Sequence, residues 1–178
     1  MATFGAFFDA NVLYPSGLRN FLMHLALTSS FRAHWSADVH EEWMRNLLKN
    51  CPDLTREKLE RTPHLTDRAL PDALVTGYEQ LIDLIELPDR DDRHVLAAAI
   101  RCGASVIVTL NLGDFPSQAL GTFSIEAHSK EAKRLKAAAW PTCALTSERK
   151  LVMESGGTDG SFQYPEELMV TVIVPLLS

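Results

Sequence analysis

The clearest structural signal lies at residues 105–115, which read Ser-Val-Ile-Val-Thr-Leu-Asn-Leu-Gly-Asp-Phe. The first five residues are rich in β-branched side chains and predict a short buried strand, and the polar residues after them predict a loop. Upstream, residues 95–100 carry apolar side chains at helical spacing, and Gly103 is placed to end that helix. A helix that leads into a buried strand is the repeating unit of an α/β fold.

The same alternation extends toward the N-terminus. Residues 4–8 and 31–35 predict two further short strands, and residues 18–27 predict an amphipathic helix between them. Ser36 is a candidate N-cap for the helix that follows the second strand, because acids occupy the first turns of that helix. We therefore predict an α/β fold in which helices flank a central parallel sheet in three layers.

The intervening stretches give weaker patterns. Turn residues after Asp9 predict a loop, and the polar stretch 52–71 predicts another helix with Thr55 as its cap. Residues 74–87 predict the start of a helix and then a short strand near 85–87. Ile125 marks one more candidate strand.

Length and composition define the class of protein. The chain has 178 residues, 17 Lys plus Arg, 23 Asp plus Glu, and a formal net charge of −6. This is the composition of one ordinary globular domain, and it excludes a disordered chain, a collagen and a coiled coil. Three scattered cysteines without a CxxC pair give no zinc framework. Without a signal sequence or a long apolar run, we expect a cytoplasmic protein with no membrane partner.

The acids are concentrated at the predicted strand ends and helix starts. Asp9 follows the first strand, Glu41 and Glu42 lie in the first turns of the next helix, and Asp114 follows the last clear strand. Residues 89–92, with three aspartates, precede the helix at 95–100. Each acid alone has an ordinary explanation as a cap, a turn residue or a solvated side chain. Together, at one edge of a parallel sheet, they would repel each other without a cation, and oxygen ligands select Mg²⁺ or Mn²⁺. Such a site indicates phosphoryl transfer or phosphodiester hydrolysis.

Four segments then resemble the motifs of PIN-domain nucleases. Residues 8–13 (Phe-Asp-Ala-Asn-Val-Leu) resemble the opening motif, and Ser36 followed by Glu42 resembles the second. Residues 89–99 resemble the third, and residues 108–115, a strand ending in Thr-x-Asn-x-x-Asp-Phe, resemble the fourth. The order and spacing match along residues 4 to about 127, and the last two motifs together are fairly specific. The chain is most similar in kind to the bacterial VapC-type toxins of this family.

The resemblance implies a function and a set of site residues. It implies an acidic pocket that binds one or two Mg²⁺ or Mn²⁺ ions and cleaves single-stranded RNA with an activated water, leaving a 5′-phosphate. Transferred residue by residue, the catalytic and metal-binding acids are Asp9, Glu42, Asp92 and Asp114. Glu41 and Asp89 are the neighbours most easily mistaken for them. The side chains expected to shape the pocket are Asn11, Ser36, Thr109 and Asn111. As a toxin, the protein would be neutralised by a small antitoxin protein.

Further expectations concern the rest of the chain. The recognisable domain spans residues 1–128, and residues 129–178 form an extension that we expect to pack on it. Arg45 and Lys49 lie four residues apart on the helix that carries Glu42, so they share a face. With Arg93 they are candidate RNA contacts, although ordinary surface solvation is the stronger explanation for each one separately. His40 and His94 are expected to form hydrogen bonds or to lie at the surface, rather than to bind a metal. The apolar faces of the early helices are candidate surfaces for a homodimer or an antitoxin, though core packing explains most of them.

Two alternatives remain open from the sequence. Haloacid-dehalogenase-like phosphatases also begin with a strand that ends in Asp, but they need a second Asp two residues later, where this chain has Asn11. The other alternative is a PIN-like binding module that has no catalytic activity. The presence of all four acids argues against it.

Overall fold

A computed structural model describes residues 4–129 of the chain. A parallel five-stranded sheet lies at its centre, with the strands in the order β3-β2-β1-β4-β5. The strands are β1 (Gly5–Phe8), β2 (Arg32–Ser36), β3 (Leu74–Val75), β4 (Val106–Val108) and β5 (Glu126–His128). The helices are α1 (Ala10–Leu13), α2 (Ser16–Leu27), α3 (Ala37–Asn50), α4 (Arg56–Ala69), α5 (Glu79–Ile82), α6 (Arg93–Cys102) and α7 (Ser117–Gly121). The predicted α/β fold with a central parallel sheet is confirmed.

The strand order places a topological switch point at the middle of the sheet. From β1 the chain builds outward through β2 to β3, then returns to the other side of β1 with β4 and β5. In open parallel sheets, a crevice for ligands lies beyond the carboxyl ends of the strands at such a point. The register pairs Phe8 with Val108, so Asp9 and Thr109 leave the sheet side by side at this crevice.

Burial of large apolar side chains holds the layers together. Phe7, Phe8, Trp35 and Trp43 are all less than 2% exposed, and the rings of Phe8 and Trp35 stack with their centroids 6.5 Å apart. Helix α6 contacts four of the strands, and its buried alanines let it lie close to the sheet. This packing fixes the start of α6, and with it Asp92, relative to the ends of β1 and β4.

Two caps fix the ends of the helices that frame the crevice. The buried Ser36 hydroxyl accepts a hydrogen bond from the backbone N–H of Val39 at 3.3 Å, which confirms Ser36 as the N-cap of α3. Gly103 ends α6 in the left-handed region with φ of 66°, as its position predicts. Thr55 lies at the N-cap position of α4, but its side chain forms no capping hydrogen bond.

Two local predictions are wrong, the strand at 85–87 and the loop at 10–13. Residues 85–87 are not a strand, and the strand of this stretch is Leu74–Val75, which pairs with Trp35 and Ser36. Ile85 and Leu87 are buried on either side of an exposed Glu86, so an irregular loop reproduces the alternation of a strand. Residues 10–13 form a single helical turn instead of a loop, and the loop after β4 contains a 3-10 turn at Leu112–Asp114.

Two further predictions concern other parts of the molecule. Within residues 4–129, no helix has the length and apolar character needed to cross a bilayer. The extension predicted at 129–178 lies, apart from its first residue, outside the described residues.

Candidate active site

Asp9 stands at the centre of the site, directly after β1. Its side chain is 2% exposed, and its Oδ2 accepts hydrogen bonds from the Thr109 hydroxyl at 2.7 Å and from the Asn11 amide at 2.5 Å. The other end of the Asn11 amide, Oδ1, accepts from the backbone N–H of Leu110 at 2.8 Å. Asn11 and Thr109 therefore tie the ends of β1 and β4 together and hold the Asp9 carboxylate in one orientation.

Burial and like charges oppose the ionisation of this carboxyl. Burial, the largest cause, and the charge of Glu42 raise the pKa of Asp9 to about 6, against the hydrogen bond from Thr109. A cation beside Asp9 would reverse this balance, because an opposite charge stabilises the ionised form. The site therefore has the electrostatic character of a cation-binding pocket.

Asp92 joins Asp9 from the start of α6. Burial first, and then the charges of Asp9 and Asp114 and a hydrogen bond with Asp114, raise the pKa of Asp92 to about 7. Asp92 lies at the N-cap position of α6, yet its side chain forms no capping hydrogen bond. The ordinary explanation of this acid as a helix cap is thus wrong, and its carboxyl faces the other acids.

Asp114 is positioned by the 3-10 turn that follows β4. The Asn111 amide donates a hydrogen bond to its Oδ2, and the backbone N–H of Asn111 donates to the Thr109 hydroxyl oxygen at 3.0 Å. One polar network therefore runs from Asp9 through Thr109 and Asn111 to Asp114, and Asn11 joins it by donating to both Asp9 and Thr109. It thus includes three of the residues predicted to shape the pocket.

Glu42, rather than Glu41, faces the pocket from α3. The charge of Glu42 raises the pKa of Asp9, and its Oε2 lies 3.3 Å from Nε2 of His94. Glu41 points to α4 instead, where Arg56 contacts both of its carboxylate oxygens at 2.5 and 2.9 Å and lowers its pKa. Asp89, like Glu41, is engaged with a partner outside the four acids. Its exposed carboxylate accepts a hydrogen bond from the backbone N–H of Asp91 at 2.9 Å.

His94 is the residue of the site whose importance the sequence least indicates. Its side chain is 15% exposed and bridges α6 to α3 through the contact with Glu42. Burial lowers its pKa, but the hydrogen bond and charge of Glu42, with Asp38 and Asp9, outweigh this and raise it overall. This contact agrees with the expected hydrogen-bonding role of His94, and its place within the third motif was the available signal.

The candidate RNA-binding side chains lie on α3, which carries Glu42, and at the start of α6, next to Asp92. Arg45 and Lys49 are exposed on α3, one and two turns beyond Glu42. Arg93 directly follows Asp92 and is half-buried, and its Nε has no hydrogen-bond partner among the described residues. Ser36 caps α3, the helix that carries Glu42.

The donor set suits a hard divalent cation. Four carboxylates from four separate segments converge, and two of them have pKa values raised by burial and by their neighbours. Between residues 4 and 129, however, no group of three or more His, Cys, Asp or Glu side chains is already arranged as ligands around one point. The chemistry of the residues fits Mg²⁺ or Mn²⁺, and a bound ion would have to draw the carboxylates closer together.

Comparison with known proteins agrees with this geometry. The family model for the PIN domain matches residues 6–113. A relative from Mycobacterium tuberculosis named "Putative ribonuclease VapC50" is 48% identical over 58 residues. That match covers 33% of this chain and 34% of the relative, so it spans about a third of the relative's length. No solved structure matches the chain. Because the family model covers more than half of the sequence and includes Asp9, Glu42 and Asp92, the chain belongs to the PIN domain family.

Proposed function

We propose that this chain is a Mg²⁺- or Mn²⁺-dependent endoribonuclease that cleaves single-stranded RNA. The observation that carries the proposal is the convergence of Asp9, Glu42, Asp92 and Asp114 at the switch point of the sheet. Membership of the PIN family and the partial match to a relative named as a ribonuclease support it. We further propose that the protein is the toxin of a toxin–antitoxin pair and that a small antitoxin protein is its partner.

The four acids are the proposed ligands of the cation. When bound, a divalent ion supplies positive charge that activates water for attack and stabilises the charge on the scissile phosphate. The chain's contribution is to orient the acids before the ion arrives. Thr109 and Asn11 fix Asp9, Asn111 fixes Asp114, and α6 presents Asp92 next to both. Such fixed orientation lowers the reorganisation needed during the reaction.

The chain can meet RNA although its net charge is −6. Much of the acidity near the substrate lies in the pocket itself, where a cation would cancel it. Arg45 and Lys49 on α3, and Arg93 beside Asp92, are the proposed contacts to the phosphates that flank the cleaved bond. Contacts of this kind depend on salt concentration and carry little sequence information.

Family membership and the position of Asn11 both speak against a haloacid-dehalogenase-like phosphatase. Such an enzyme needs a general acid two residues after the first Asp. Here that position is an amide whose oxygen and nitrogen are both engaged, with Leu110, Asp9 and Thr109. The Asn11 amide has no acidic proton, so it cannot serve as that general acid.

A cleavage assay tests the proposal. Purified full-length protein is incubated with 5′-labelled single-stranded RNA and Mn²⁺, with and without excess EDTA. We expect cleavage only with the metal, products that carry a 5′-phosphate, and loss of activity in Asp9→Asn with an unchanged circular dichroism spectrum. Glu41→Gln is the matched control, because Glu41 is engaged with Arg56 outside the pocket. RNA cleavage that survives EDTA would overturn the proposal, and a folded protein that binds Mn²⁺ but cuts no RNA would indicate an inactive binding module.

A further inference from the structure

Glu42 differs from the other acids in how it is held. Thr109 and Asn11 hold Asp9, and Asn111 holds Asp114. Asp92 is held by its place at the start of a buried helix and by its hydrogen bond with Asp114. Glu42 has the longest side chain of the four, and it is 26% exposed. A flexible carboxylate next to other carboxylates would turn toward solvent unless a donor kept it in the pocket.

His94 is the donor that faces Glu42. Nε2 of His94 lies 3.3 Å from Oε2 of Glu42, and the imidazole lies among the charges of Glu42, Asp38 and Asp9. This contact joins the first turn of α6, which carries Asp92, to the second turn of α3, which carries Glu42. A hydrogen bond to a carboxylate is about twice as strong as one between neutral groups, so it can fix the side chain of Glu42.

Packing alone does not explain a histidine at this position. Nδ1 of His94 is buried and has no hydrogen-bond partner among residues 4–129. A buried polar atom without a partner destabilises the folded state, and an apolar side chain of similar volume would avoid this. The buried His40 shows the contrast, since its two ring nitrogens meet Trp43 and Asp67 at 3.0 and 3.2 Å. His94 therefore carries a cost that its contact with Glu42 must offset.

We propose that His94 is a positioning residue that donates from Nε2 to Glu42 and so holds this carboxylate at the cation site before the ion binds. The inference rests on the proposed function, because it concerns the same acids. In metalloenzymes, loss of a group that orients a ligand costs about 10- to 100-fold in metal affinity or activity. His94 should act on metal binding through Glu42, without touching RNA.

Two substitutions of His94 by amides of different length distinguish a positioning role from a packing role. His94→Gln places an N–H donor near the position of Nε2, whereas His94→Asn places one near Nδ1, too short to reach Glu42. Both are polar, so both should fold. We expect the Kd for Mn²⁺, measured by calorimetry on the full chain, to rise about 10-fold or more in His94→Asn and to stay within about 3-fold of wild type in His94→Gln. His128→Asn is the control, because this histidine is half-exposed and pairs with Glu126.

A double-mutant cycle identifies the partner. In a Glu42→Gln background, His94→Asn should weaken Mn²⁺ binding much less than it does in the wild type, since the two residues act as a unit. Equal Kd values for His94→Asn and His94→Gln, or additive effects in the cycle, would overturn the assignment.

The outcomes also separate this inference from the proposed nuclease. If the wild type binds Mn²⁺ but cuts no RNA, the nuclease proposal fails, and the Kd ratios still decide the role of His94. If the wild type binds no Mn²⁺, both proposals fail. If it binds Mn²⁺ and cuts RNA but the two His94 variants behave alike, the inference about His94 fails alone.

Discussion

Asp9→Asn should make the metal-free protein more stable while removing its activity. Burial and the charge of Glu42 raise the pKa of Asp9 from 3.8 to about 6. Each pKa unit corresponds to about 1.4 kcal/mol, so ionised Asp9 costs the folded protein about 3 kcal/mol at pH 8. The uncharged amide removes this cost, and its oxygen can still accept from Thr109 and Asn11. Because burying the amide itself costs some free energy, we expect a net gain of about 1–3 kcal/mol.

The pH dependence of the gain gives the sharper test. A pKa that is raised on folding means that the native state binds the proton more tightly, so wild-type stability falls as the pH rises from about 4 to about 6. The variant lacks this titration. Its advantage should therefore be largest at pH 8 and about 1.5 kcal/mol smaller at pH 5, because the cost of ionised Asp9 is about half as large there.

Urea unfolding in EDTA, followed by the fluorescence of the buried tryptophans, measures both quantities. A variant no more stable than wild type at pH 8, or an advantage that does not shrink toward pH 5, would refute the reasoning. Mn²⁺ should raise the unfolding midpoint of the wild type but not that of the variant, because a ligand that binds only the native state stabilises it.

Three substitutions test the packing and helix ends that support the site, and the free energy of unfolding is measured by the same urea assay. Ser36→Ala removes the cap of α3 and should cost about 1 kcal/mol. Trp35 Nε1 and His40 Nε2 lie 2.7 and 3.2 Å from Oδ1 of Asp67. Asp67→Ala removes this shared partner and should lower the free energy of unfolding by about 2–3 kcal/mol. Gly103→Ala should cost about 1–2 kcal/mol because φ is 66° there, although no atom lies within 4 Å of the added Cβ. Changes below about 0.5 kcal/mol in all three would contradict the described packing.

The central sheet was predictable because its strands and helices have strong local signals. The strand before Thr109 is short and β-branched, and the helix before it repeats apolar side chains at helical spacing. Since parallel strands end at one edge, the acids after β1 and β4 had to meet there. Asp9 and Asp114 could therefore be placed near each other from the sequence.

The failures have equally local causes. β3 contains two residues, too few for a periodic pattern, and its pairing with β2 is set by the sheet edge rather than by its own sequence. Ile85 and Leu87 alternate in burial with Glu86 only because the loop passes over the core. The choice of Glu42 over Glu41 came from the family resemblance. The local sequence pattern does not separate the two, because Arg56, the partner of Glu41, lies on another helix.

Direct binding of Mn²⁺ by the folded protein tests the central claim most simply. Calorimetric titration of the full chain should show saturable binding in the wild type. In Asp92→Asn the affinity should fall by about 10-fold or more, because Asp92 lies close enough to Asp9 and Asp114 for their charges to raise its pKa. Asp89→Asn, whose carboxylate is engaged with the backbone of Asp91, should bind as the wild type does. A folded wild type that binds no Mn²⁺, or an Asp92→Asn variant that binds it equally well, would contradict the account.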